Sequence, residues 1–145
     1  MSGVFDLERF VEAQNPVYEQ ACAELRAGSK QSHWMWFVFP QLKGLGHSSM
    51  AARFGIASLK EAEAYLRHPI LGPRLIECTR LVTSVKGRSV EEIFGYPDHL
   101  KFHSSMTLFA QVGGGVFVEA LEKFFGGRLD GLTLERAAIG ERREQ

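Results

Sequence analysis

Cysteine is scarce in this chain, with Cys22 and Cys78 the only two among 145 residues. Each sits among apolar neighbours at helical spacing, so both read as free buried thiols rather than as a disulfide framework. No CxxC pair and no HExxH occurs, which removes the zinc-ribbon and metalloprotease patterns. An excess of charge of one sign is missing too, because 17 basic side chains balance 17 acidic ones. Zero formal charge removes the broad attraction on which nonspecific binding to nucleic acid or to an anionic membrane depends. Neither partner is expected. The longest fully apolar run is Trp34 to Phe39, far short of the roughly 20 residues a bilayer span needs. At the N-terminus Asp6, Glu8 and Arg9 come before any apolar stretch long enough for a signal peptide, so the expected location is the reducing cytoplasm. Sustained period-two alternation is also lacking, and no internal repeat occurs.

What is there is the composition of an ordinary globular domain, 45% hydrophobic and 23% charged. A chain of this length buries roughly two-thirds of the surface it exposes when unfolded, enough for a core without metal or disulfide staples. One compact domain over residues 1–145 is expected, with a charged, frayed tail at 140–145. The spacing predicts helices throughout. Asp6 stands at an N-cap position for a first helix ending near Asn15, and Pro16 suits the first turn of a second that stops at Gly28, with Tyr18, Cys22 and Leu25 on one stripe. Ser58-Leu-Lys-Glu61 and Ser89-Val-Glu-Glu92 both match the capping box. Between them Leu71, Leu75, Cys78, Val82 and Val85 make Ile70 to Val85 a core helix ended by Gly87. Pro97 and Asp98 open a helix to about Val112, broken by Gly113-Gly-Gly115. Phe117 to Phe125 form the next, closed by Gly126-Gly127, and a short last helix follows Asp130. The fold class is all-α. Trp34 to Phe39 reads equally as a buried strand or a buried helical turn.

The stretch Ser32-His-Trp-Met-Trp-Phe-Val-Phe-Pro-Gln-Leu-Lys-Gly-Leu-Gly46 resembles the DUF1810 family, bacterial proteins of about this length. The likeness continues through Ala57-Ser58-Leu59, His68-Pro-Ile-Leu-Gly-Pro-Arg-Leu75, Glu92-Ile-Phe-Gly95, Lys101, Ser104-Ser-Met-Thr-Leu-Phe109 and Phe124-Phe-Gly-Gly127. It implies a single, mainly helical domain and supplies no catalytic residues. Some members carry the label calpastatin, but that inhibitor is a disordered polar chain, whereas this composition forms a core. Around Gly113 to Gly115 relatives often have a longer, more polar connection, which leaves the geometry of that loop open.

Two clusters carry possible chemistry. In the helix that begins at Asp98, Phe102, Met106, Leu108, Phe109 and Val112 form a wide apolar arc, and Lys101 and Ser105 fall inside it. An inward lysine and serine need partners, because an unpaired buried ammonium is prohibitively costly. Internally, Asp98 would pair with Lys101, and Ser105 would bond back to the Lys101 carbonyl. In the alternative, Lys101 and Ser105 meet a bound anion or carbonyl in a pocket with Ser104 on its rim. The second cluster is Ser32, His33, Trp34, Trp36 and Gln41. Its aromatic rings suit a core element, yet Trp34 and Trp36 can also stack on a planar ligand, and His33 can act as an acid or base. The loop after Gln41, with His47, Ser48 and Ser49, offers amides and hydroxyls at a helix start, without P-loop spacing. His99 and His103, four apart, make half of a metal site. No cofactor and no metal is expected.

These residues support a small-ligand-binding domain, or an enzyme acting on a small anionic or carbonyl-containing molecule. Its site would gather His33, Lys101 and Ser105 in catalytic positions, with Trp34, Trp36, Gln41, Ser48 and Ser104 binding the ligand. In the enzyme version His33 moves the proton and Lys101 stabilises developing negative charge. The competing reading is a structural or protein-interaction module whose polar groups are all satisfied internally.

Overall fold

The computed structural model describes residues 5–144, and the side chains of 5–140. Met1–Val4, part of the segment examined for a signal peptide, and Gln145 of the tail lie outside the described residues. Ten helices follow one another among the described residues: α1 Glu8–Gln14, α2 Tyr18–Arg26, α3 Met35–Val38, α4 Ser49–Phe54, α5 Leu59–Arg67, α6 Leu71–Thr83, α7 Val90–Phe94, α8 Asp98–Gly113, α9 Val116–Phe125 and α10 Gly131–Glu144. No strand occurs among them. The nearest approach to one is an isolated parallel bridge between Leu42 and Ile56, in which Ile56 N–H donates to the Gln41 carbonyl and Lys43 N–H to the Ile56 carbonyl, each at 2.8 Å. That bridge ties the two ends of the α3–α4 connection and α4 itself into one closed loop. No described helix is long and apolar enough to cross a membrane.

Helix α8 is the centre of the fold, packed by α5, α7, α9 and α10. Its residues Ser104 to Phe109 are all buried in sequence, so no side of the helix there meets solvent. Three of these six residues, Ser104, Ser105 and Thr107, are polar, so it is the elements packed on every side rather than composition that bury the segment. Rings from distant segments close around it. Phe10 meets Tyr65, Tyr65 meets Phe109 and Phe109 meets Phe117, with centroids 5.1–5.8 Å apart. On the other side Phe39 stands edge-on to Phe102 at 5.1 Å, and Phe94 stacks on Phe102 at 4.7 Å.

Several local expectations change in the structure. Asp6 is not the cap of α1. Leu7 occupies that position without a side-chain bond, and the Asp6 main-chain carbonyl instead accepts from the Arg9 guanidinium. Ser89 and Glu92 complete a reciprocal capping box, but Ser58 makes only half of one. Glu61 turns outward from that box to accept from the Ala57 amide at 2.7 Å and to pair with Arg9 at 3.1 Å. The helix ascribed to Ile70–Val85 ends at Thr83, so Gly87 lies in the connection after it, at φ +74°. Trp34 to Phe39 resolves as a single helical turn. The last helix is longer than its sequence suggests, and its helical backbone runs through the charged segment to Glu144.

Candidate functional site

The turn α3 separates the two tryptophans. Trp34 precedes the turn with a non-helical backbone, φ −139°, and Trp36 lies inside it, so the two side chains leave the chain in different directions. Trp34 is the inward one, 1% exposed, and its indole N–H donates to Glu24 at 3.0 Å. It is therefore a core side chain and cannot stack on a ligand. Trp36 faces the other way, toward Gly46 and a cleft against α8.

Glu24 on α2 organises this whole segment. Its buried carboxylate accepts from the amides of Gln31 and Ser32 at 2.8 and 3.0 Å, from the Ser32 hydroxyl at 2.5 Å and from Gln20 at 2.8 Å, besides Trp34. Burial pushes the carboxyl pKa up, but the hydrogen bonds from Ser32, Gln31 and Gln20 outweigh it and bring the group down to about 2. No motif singles Glu24 out in the sequence. A glutamate one turn before the end of an amphipathic helix reads as surface, and only the folding back of residues 31–34 buries it.

The outward face of Trp36 meets α8. The Lys101 ammonium lies over the Trp36 ring, 3.9 Å from its centroid, and pairs with Asp98 at 3.2 Å. Asp98 is shared, because Lys30 reaches its other oxygen at 2.8 Å. Lys30 is largely enclosed, with a 7% exposed side chain, and it also donates to the Ser32 carbonyl at 2.6 Å and lies 5.0 Å from the centre of the Trp34 ring. Two ammonium groups thus share one carboxylate beside Trp36. An ammonium has three N–H donors, and Lys101 gives one hydrogen bond to protein among the described residues.

A cleft of about 310 Å³ opens here. Its polar groups are Gln41 from the loop after α3, Lys101, His103 and Ser104 from α8, and Asp130 from the turn before α10. Its walls are Trp36, Leu45, Pro97, Leu100 and Leu132. Asp130 is committed to structure. One of its oxygens accepts from the Ser104 hydroxyl at 3.1 Å and from the Thr133 amide at 3.2 Å, which places its negative charge at the start of α10, where the helix dipole offsets it. His103 stacks on Phe125, centroids 4.0 Å apart, and its Nε2 donates to the Arg128 carbonyl at 2.8 Å. That bond fixes the tautomer and leaves Nδ1 as the second ring nitrogen.

Of the residues singled out from the sequence, Trp36, Gln41, Lys101 and Ser104 line this one cleft. The others do not. Ser105 is wholly buried, and its hydroxyl has no hydrogen-bond partner; the expected bond to the Lys101 carbonyl is not formed. It lies one residue, about 100°, round the helix from Ser104, far enough to turn it from the cleft into the packed interior. Ser48 spends its hydroxyl as the N-cap of α4, accepting from the Ala51 amide at 3.1 Å. His33 is exposed on the turn before α3 and borders no cavity described here, so it does not share a site with Lys101 through this cleft. The histidine that does border the cleft is His103. Sequence spacing tied it to His99, but the two rings go to different carbonyls, His99 to that of Gly95 at 3.3 Å. No cluster of three or more metal-ligating side chains occurs among the described residues.

The chain is similar to a solved structure, the crystal structure of the conserved hypothetical protein Rv1873 from Mycobacterium tuberculosis. The two are 59% identical, superpose with a TM-score of 0.92, and overlap over 94% of this chain and 99% of the other. No curated protein matches the chain. The model of the family described as "Protein of unknown function (DUF1810)" matches residues 4–137, and the chain belongs to that family.

Proposed function

We propose that this is a small-ligand-binding domain, and that the cleft beside Trp36 takes a small anionic or carbonyl-containing molecule. The observation that carries the reading is the shared Asp98. One carboxylate serves two ammonium groups, and the Lys101 ammonium, only 21% exposed at its side chain, keeps unused donors toward an apolar-walled cleft. A cation held in such a place gains more from a bound anion than one in open water, because the local dielectric is lower. Ser104 and Gln41 add hydroxyl and amide groups for orientation, and Trp36 offers a ring face. In an enzyme built on this site, Lys101 would stabilise negative charge and His103, rather than His33, would carry the proton. The free thiols of Cys22 and Cys78 agree with a cytoplasmic setting.

A second reading is favoured by the same contacts. Lys101 already has Asp98 and the Trp36 ring as partners, which is what a structural module with internally satisfied charges requires. The two readings separate in one titration. The indole N–H protons of Trp34 and Trp36 give two resolvable NMR signals, and the protein is titrated with acetate, benzoate, pyruvate and inorganic phosphate. For a ligand site, at least one of these moves the Trp36 signal saturably and leaves that of Trp34 in place, and Lys101→Met abolishes the shift with little loss of stability. No saturable shift at millimolar ligand, together with strong destabilisation by Lys101→Met, decides for the structural module.

A further inference from the structure

A second cavity lies next to the cleft, on the other side of Leu45 and Leu132. Both leucines line this cavity too, which has a volume of about 360 Å³ and extends along α10 to Ile139. From Leu132 to Ile139 is seven residues, roughly 10 Å along a helix axis. The floor of this second lobe is aliphatic, formed by Leu45, Leu132 and Ile139. Its polar groups, His47, Glu135 and Arg136, are exposed and stand at its rim. Arg136 is partly committed there, since it donates to the Gly44 carbonyl at 3.2 Å. Leu132 is 64% exposed and Leu100 49%, so the apolar lining between and beside the lobes faces solvent rather than core. Large exposed aliphatic side chains leading away from the Lys101 ammonium call for an occupant that is apolar along its length and negative at one end.

We propose that the natural ligand is a free monoanionic acid with an extended apolar tail, its head on Lys101 and its tail passing between Leu45 and Leu132 into the lobe at Ile139. This rests on the small-anion reading above and adds the chemistry of the rest of the molecule. Charge selects the head, because Lys101 keeps two N–H donors free beside the cleft while the Asp130 carboxylate in the same lining is turned to Ser104 and Thr133 at the start of α10. Area selects the tail, because each methylene that leaves water for this lining tightens binding about fourfold, equivalent to about 0.8 kcal/mol.

Calorimetric titration of the intact protein with straight-chain acids from acetate to decanoate, below their micelle concentrations, tests this. The expected result is a dissociation constant that falls steadily with tail length until the second lobe is filled, and no binding of alkylammonium ions of the same lengths. Ile139→Asp, which alters only the distal lobe, erases the gain from the longer tails. Short acids that bind through Lys101 with no dependence on tail length would overturn this inference and leave the small-anion reading standing. A gain that survives Ile139→Asp, or that arises only above the micelle concentration, overturns it as well. If no acid of any length binds, this inference is overturned, while the small-anion reading is decided separately by the Trp36 titration with pyruvate, benzoate and inorganic phosphate.

Discussion

Removing the Glu24 carboxylate tests the construction of the site most directly. The group accepts five hydrogen bonds at 2.5–3.0 Å, and one donor, the Trp34 indole N–H, is too buried for water to replace its partner. In Glu24→Ala that donor is orphaned, at a cost of about 1–3 kcal/mol, and the lost charge-assisted bonds and side-chain volume bring the total to about 3 kcal/mol. For a chain of this size that is a fall in melting temperature of about 10 °C. Glu24→Gln keeps an acceptor for the Gln31 and Ser32 amides and the Trp34 indole but turns a donor toward Gln20 and the Ser32 hydroxyl; the exposed amide can flip and the hydroxyl can rotate to accept, so the cost at neutral pH is about 1 kcal/mol. The pH dependence separates charge from shape. The folded carboxyl sits at about 2, below its ordinary 4.5, so its contribution is complete above pH 4.5 and is lost as pH falls toward 2. Urea unfolding followed by circular dichroism from pH 7 down to pH 3 measures this, and the gap between the wild type and Glu24→Gln is expected to narrow below pH 4.5. A Glu24→Ala protein within about 1 kcal/mol of the wild type, or a gap independent of pH, would refute the assignment of Glu24 as the anchor of the Trp34–Trp36 turn.

Two further substitutions probe the packing around the site. Ser105→Ala removes a buried hydroxyl that has no partner, so it should leave stability unchanged or raise it by up to about 1 kcal/mol in chemical denaturation; a clear loss would mean that the hydroxyl is satisfied after all. Gly72→Ala should destabilise by more than about 2 kcal/mol, because the new Cβ would lie 2.1 Å from the Leu66 carbonyl oxygen, a backbone atom with no rotamer to move away; an unchanged melting temperature would show that the α5–α6 corner yields.

Local signals carried most of the helix plan. The Ser89 box, the Gly113–Gly115 break and the Gly126–Gly127 stop all work within one turn of chain, and each marks its element in the structure. Asp6 and Ser58 show the limit of such signals. At Ser58 the box is left half-made because its partner Glu61 is drawn to Arg9, 52 residues away on α1, and at Asp6 the cap falls one residue later, on Leu7. The length of α10 is likewise hidden, because the packing of that helix against α5 and α8 has no local signal in the sequence.

The site divides in the same way. By itself the sequence determined an all-helical domain, the apolar arc of α8 and the presence of a lysine within it, because helical periodicity places those side chains relative to one another without reference to the rest of the chain. Only the tertiary structure decided which polar residues share a cavity. The folding of residues 31–34 onto Glu24 turned Trp34 inward and Trp36 toward Lys101. A rotation of one residue on α8 sent Ser104 to the cleft and Ser105 to the core. Asp130 and Leu132 came from the far end of the chain to complete the wall. Each of these depends on where a second element stands, and that is set by the whole core closing around α8 rather than by any motif.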